Sequence, residues 1–208
     1  KVKALCNKAV RPDPTDSTVP SVGAICVYND MVSIARTHLD SIGGEKVPVA
    51  AVSTAFPSGR ASMDVKIRDT QDAIDAGAAE IDMVIDRGAF LAGKLGFVFD
   101  QIKAIKEVCG EKVHLKVILE TGELVTLDNV RKASYLAMLA GADFIKTSTG
   151  KVAPAATTPV VYVMLEAVRD YYKLTGNRIG VKPAGGIRNT KDAIKQLVLV
   201  NEIAGPEW

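Results

Sequence analysis

Six short runs rich in β-branched residues recur along the chain, each followed by a longer segment of helical periodicity, and this alternation constrains the fold more than any other feature. The runs are Gly23 to Tyr28, Val47 to Phe56, Glu80 to Ile85, Val113 to Glu120, Phe144 to Thr149 and Ile179 to Ala184. The intervening periodicity predicts helices over Asp30 to Ser41, Asp64 to Ala76, Phe97 to Cys109, Leu127 to Ala140, Thr158 to Leu174 and Thr190 to Ile203. Capping residues at Asp64, Asp128 and Asn189, and exit glycines at Gly77, Gly110, Gly141 and Gly176, support these boundaries. Repeated βα units force parallel neighbours through right-handed crossovers, so the class is α/β. A Rossmann sheet would need GxGxxG after its first strand, and none follows Tyr28. The PSGRAS segment after Phe56 is no P-loop, which leaves the (β/α)8 barrel as the preferred architecture.

The 208 residues suit a single domain, since linkers are short and no composition shift divides the chain. With 26 basic and 24 acidic residues interspersed, the electrostatic footprint of a nucleic-acid or polybasic membrane binder is missing, and a small-molecule partner is expected. No apolar stretch is long enough for a membrane span and Lys1 to Val10 lack the pattern of a secretory signal, so a soluble, intracellular protein is expected. Cys6, Cys26 and Cys109 read as free thiols, and His38 and His114 belong to no ligand cluster, so neither disulfide nor metal is expected.

Ala76-Gly77-Ala78-Ala79-Glu80-Ile81-Asp82 aligns with Ala140-Gly141-Ala142-Asp143-Phe144-Ile145-Lys146, which puts Asp82 and Lys146 at equivalent positions of two βα units. A common helix exit would give the same letters. Four strands carry one out-of-place charge each, at Asp82, Lys116, Lys146 and Lys182, separated by 34, 30 and 36 residues. Strand alternation sends Lys146, Asp82 with Val84, and Lys182 with Gly180 into the barrel, while Ile81, Ile145, Ile179 and Val181 face the helices. Two uses fit converging charges of this kind: an ion-pair network that fills the barrel, or catalysis. Three lysines against one aspartate do not balance, and crowding in a dry cavity lowers a lysine pKa and yields a neutral amine. Such an amine forms a Schiff base with an aldehyde or ketone, and the protonated imine is an electron sink for carbon–carbon bond cleavage. Asp82 and Lys182 are the pair available for proton transfer.

Lys182-Pro183-Ala184-Gly185-Gly186-Ile187-Arg188 closes a strand and opens a helix at Asn189. Paired glycines expose backbone N–H groups, and Arg188 with the helix N-terminus supplies positive potential, so the segment suits phosphate. A plain βα turn would also use these glycines. Ser148, Thr149, Gly150 and Lys151 follow the candidate nucleophile and can meet substrate oxygens.

DFIKTSTGK (Asp143 to Lys151), GVKPAGGIR (Gly180 to Arg188), AEIDMVI (Ala79 to Ile85) and LKVILETGEL (Leu115 to Leu124) resemble the deoxyribose-phosphate aldolases over nearly the whole chain. The resemblance implies a cofactor-free class I aldolase on a TIM barrel, cytoplasmic and catabolic, that cleaves 2-deoxy-D-ribose 5-phosphate reversibly to D-glyceraldehyde 3-phosphate and acetaldehyde. By that resemblance Lys146 is the Schiff-base lysine, Lys182 the lysine that tunes it and Asp82 the proton-relay carboxylate. Gly185 and Gly186 cradle the phosphate, with Thr149 and Lys151 as nearby contacts, and Lys116 lies beside the substrate as an electrostatic element. Family members carry a strand ahead of Lys1 to Val10 and a final strand with a Gly/Ser-rich loop beyond Trp208. The expectation is one aldolase barrel domain over 1–208, incomplete at both ends, or completed by another copy in a homo-oligomer. The competing reading is a catalytically silent phosphosugar-binding or interaction barrel.

Overall fold

The computed structural model describes residues 1–208 throughout. Helix α1 (Val2–Val10) precedes six βα units: β1 (Ile25–Tyr28) and α2 (Val32–Ser41); β2 (Val49–Ser53) and α3 (Met63–Asp75); β3 (Glu80–Val84), α4 (Arg87–Leu91) and α5 (Leu95–Cys109); β4 (His114–Ile118) and α6 (Leu127–Leu139); β5 (Phe144–Lys146) and α7 (Thr158–Thr175); β6 (Gly180–Lys182) and α8 (Thr190–Ile203). The strands form one parallel sheet in the order β1-β2-β3-β4-β5-β6. A doubly wound sheet reverses its strand order at a switch point, whereas here every strand lies beside its sequence neighbour, as in a barrel. The outer edges of β1 and β6 are not paired to each other.

Alternation divides the strand residues as expected. Ile81, Met83, Leu115, Val117, Ile145 and Ile179 join a 38-residue apolar cluster with the helices, at about 1.5–3 kcal/mol for each large side chain fully buried. Val52, Val84 and Ile118 are also buried but lie outside that cluster, on the concave face that carries the charges. Lys146 is in register with Lys182 on one side and with Ile118 on the other, and Asp82 is in register with Lys116.

The internal similarity is structural. At the end of α3 the Ala78 N–H donates to Ala73 O and the Gly77 N–H to Ile74 O; at the end of α6 Ala142 donates to Ala137 O and Gly141 to Met138 O. Gly77 (φ 103°) and Gly141 (φ 99°) close these matching exits, and a Cβ at either would press on the side-chain stem of the preceding unit's helix, Arg36 or Lys106.

Several boundaries differ from the sequence expectation. β5 stops at Lys146 and β4 at Ile118, short of Thr149 and Glu120, because their last residues bend into loops that bond across to neighbouring strand ends. Asp64 and Asp128 lie in the first turns of α3 and α6 rather than capping them: Ser62 is the N-cap of α3, and the Thr126 hydroxyl accepts from Asn129 N in α6. Asn189 caps α8 as expected, accepting from Asp192 N at 2.9 Å. No helix is long and apolar enough to cross a membrane.

Candidate active site

Asp82 is the hub of the concave face. It is fully buried, and its Oδ2 accepts from Lys146 Nζ at 2.6 Å and from Lys182 Nζ at 3.1 Å, while Oδ1 accepts from Lys116 Nζ at 3.1 Å. Residues 34, 64 and 100 positions away thus meet on one carboxylate, because their strands are neighbours and their side chains share one face. Burial acts to raise the Asp82 pKa, but the ammonium groups of Lys146, Lys116 and Lys182 outweigh it and hold the carboxyl well below the usual carboxylate range.

Two expectations need correction. The count of three lysines against one aspartate omitted Glu80, whose carboxylate pairs with Lys116 from two residues before Asp82 on the same strand. Three amines face two carboxylates, which leaves an excess of one positive charge. Nor does crowding depress Lys182. Burial pulls its ammonium down, yet Asp82, joined by Cys26 and Glu80, more than offsets this, so its pKa lies above the ordinary lysine value. Carboxylates govern this cage more than mutual repulsion does.

The amines differ in access. Lys116 is sealed beneath the site at 4% exposure, held by both carboxylates and lying 5.8 Å from the Phe144 ring centroid. That ring fills the space a Cβ on Gly180 would need, with ring atoms 2.1 Å from such a carbon. Lys116 therefore lies below the opening rather than on it. Lys146 is 5% exposed, whereas the Lys182 side chain is 32% exposed. Cys26 on β1, given no role from sequence, is exposed along its strand but points its thiol at Asp82 Oδ2 across 3.7 Å, and desolvation by the packed atoms around that sulfur together with the carboxylate raises its pKa.

Beyond the strand ends lies a cavity of about 470 Å³ lined by Gly150, Lys151, Gly185, Gly186, Arg188 and Lys195, among others. Gly185 (φ 87°) and Gly186 (φ 89°) adopt backbone conformations that open the turn, and α8 starts beside them. Three cationic residues, glycine backbone and a helix N-terminus give this surface the chemistry that suits an anion, with Asp192 as the acidic residue on its wall. Gly150 is four residues beyond Lys146 and Gly185 three beyond Lys182, so each strand carries an amine and then a cavity wall within about 14 Å of chain.

Thr149 is occupied elsewhere. Its hydroxyl donates to Glu120 Oε2 at 2.5 Å, and Thr149 Oγ1 in turn accepts from Lys151 N at 3.1 Å. Lys151 Nζ sits 5.8 Å from the Tyr28 ring centroid. Ser148 is buried with an unpartnered hydroxyl, while the Thr147 hydroxyl bonds both backbone groups of Ala184 and so ties β5 to β6. Sequence reasoning missed Glu80 and Glu120. Glu80 was legible as a charge two residues from Asp82 on the same strand; Glu120 was hidden inside an expected strand.

A buried lysine paired to a carboxylate beside a second, more open lysine, on a parallel barrel-type sheet with a glycine-lined, cationic cavity at its C-terminal edge, is the arrangement of a Schiff-base aldolase. The chain belongs to the DeoC/LacD aldolase family, whose profile matches residues 1–205. The human deoxyribose-phosphate aldolase is 45% identical over 215 aligned residues, covering 100% of this chain and 67% of the human protein. Among solved structures, the aldolase QR15 superposes with a TM-score of 0.75 at 32% identity, covering 96% of this chain and 81% of that one. The tetrameric deoxyribose phosphate aldolase of Aeropyrum pernix gives 0.72 at 26%, covering 95% and 75%.

Proposed function

We propose that residues 1–208 form one aldolase domain that cleaves 2-deoxy-D-ribose 5-phosphate reversibly to D-glyceraldehyde 3-phosphate and acetaldehyde. The observation that carries this reading is the Lys146–Asp82–Lys182 contact, in which one buried carboxylate oxygen serves two amines from adjacent strands. Lys146 passes a proton to Asp82 Oδ2, and the freed Nζ electron pair attacks the C1 carbonyl of the open-chain sugar, an N–H proton moving to the carbinolamine oxygen. Lys182, held as an ammonium by Asp82, gives its proton to the departing hydroxyl, and water leaves. The iminium then takes up the electron pair of the C2–C3 bond as the C3 hydroxyl proton passes to the Lys182–Asp82 pair. Glyceraldehyde 3-phosphate departs, the enamine is protonated at C2, and hydrolysis returns Lys146 and acetaldehyde.

Gly185, Gly186, Lys151 and Arg188 receive the 5-phosphate, and Thr149 shapes that end of the site. Lys116 acts on Asp82 from below, without touching substrate. The free thiols fit a reducing cytoplasm, and self-association like that of the A. pernix enzyme is expected in light scattering. The test is incubation with acetaldehyde and borohydride followed by peptide mass analysis. A reduced two-carbon adduct on Lys146 supports the reading; an adduct-free Lys146 in folded protein overturns it in favour of a silent phosphosugar-binding barrel.

A further inference from the structure

Glu120 is a fully buried carboxylate with no lysine or arginine partner within salt-bridge distance. It follows β4 in a left-handed backbone conformation (φ 53°, ψ 60°), which a non-glycine side chain rarely adopts. Such strain persists where surrounding contacts over-determine it. Here those contacts are specific: Oε1 accepts from Thr149 N at 3.2 Å and Oε2 from the Thr149 hydroxyl at 2.5 Å. The same hydroxyl oxygen accepts from Lys151 N, so one carboxylate sets the course of the chain from the candidate nucleophile's strand to the wall of the anion cavity.

The neighbouring loops are stacked on this tie without slack. A Cβ on Gly122 would lie 2.2 Å from Pro154 O, and one on Gly185 would lie 2.6 Å from the Ala155 Cβ. The loop after β4 therefore abuts the loop after β5, which abuts the glycine turn after β6. A shift of Thr149 changes where Gly150 and Lys151 stand relative to Gly185.

We propose that Glu120 is a positioning residue that sets the phosphate end of the site through Thr149, leaving the Schiff-base centre to the strands. This rests on the aldolase reading above, and the two can fail separately. Glu120→Gln keeps an acceptor for Thr149 N and an amide group for its hydroxyl. Glu120→Asn suits the left-handed backbone, but its shorter side chain cannot reach. With 2-deoxyribose 5-phosphate, E120N should raise KM by about tenfold to a hundredfold, the scale of lost hydrogen bonds to a charged group. With unphosphorylated 2-deoxyribose, kcat/KM should change less than about threefold, borohydride trapping of acetaldehyde on Lys146 should persist, and E120Q should recover most of the KM. Equal losses on both sugars, or an unchanged KM for the phosphorylated one, would overturn the proposal. Should E120N fail to fold, Glu120→Asp, which keeps the buried charge and tolerates the left-handed backbone but stops one methylene short of Thr149, decides on the two sugars: a KM rise confined to the phosphorylated sugar supports the proposal, and a common loss or none removes it. Absence of trapping in wild type would instead strike the aldolase reading itself.

Discussion

The charge cage and the anion cavity adjoin each other yet are built on opposite principles. Asp82, Lys116 and Lys146 sit on strands, buried, and both lysines meet the Asp82 carboxylate through side chains whose positions the sheet register imposes. The cavity is made of loop backbone, glycines and open cations, and nothing in the strand register places it. Preorganised charge is worth most where water is excluded and donors need not move, which suits bond making and breaking. A loop-built cavity gains affinity from charge and backbone N–H groups, but depends on loop-to-loop ties for its shape. Damage to the cage should therefore appear in chemistry and stability together, and damage to the cavity in substrate affinity.

The largest expected effect is that of Lys146→Leu. Turnover should fall by a factor on the order of 10⁴ or more and borohydride trapping should vanish, while the cavity keeps its affinity for a sugar phosphate by calorimetry. Retention of full activity would end the account of the cage. Asp82→Asn comes next, with a rate loss of about 10²–10⁴-fold. It should also cost about 3–5 kcal/mol in denaturant unfolding, because three amines would then face only Glu80.

On the cavity side, Arg188→Ala should raise KM for the phosphorylated sugar about tenfold with kcat nearly unchanged, measured by coupled assay. A fall in kcat with KM unmoved would show that the two regions are not separate.

Acid should discriminate further. The folded-state pKa of Asp82 is depressed, so its contribution to stability is complete above the unfolded carboxylate value of about 4 and is lost as pH falls below it. Unfolding free energy should therefore decline with acid more steeply in wild type than in D82N. The smallest effect concerns Cys109, whose thiol burial pushes up to about 12. Its stabilisation is complete below pH 9 and fades as pH rises towards 12. At pH 8 an alkylating reagent should leave Cys109 unmodified until the protein unfolds.

Much of the cage was legible in the chain because parallel βα units repeat. Strands that must lie side by side, each with a misplaced charge at one βα spacing, can only bring those charges together, and the matched exits at Gly77 and Gly141 fix Asp82 and Lys146 at equivalent heights. The sign of the coupling was not legible. Adding charges along the sequence gave repulsion among lysines, whereas the distances to Asp82 and the contact of Glu80 with Lys116 make attraction dominate. Thr149 looked like a free hydroxyl beside the substrate, and only packing disclosed the carboxylate that occupies it.

The sequence by itself determined the α/β class, the order of parallel units and the face to which Asp82, Lys146 and Lys182 turn, since periodicity and crossover handedness are local rules. Tertiary structure alone decided which oxygen meets which amine, how far Lys182 stands open, and that Glu120 bends out of its strand to hold Thr149. Those outcomes depend on ångström-scale separations between residues far apart in the chain, and electrostatic and hydrogen-bond energies change steeply over such distances.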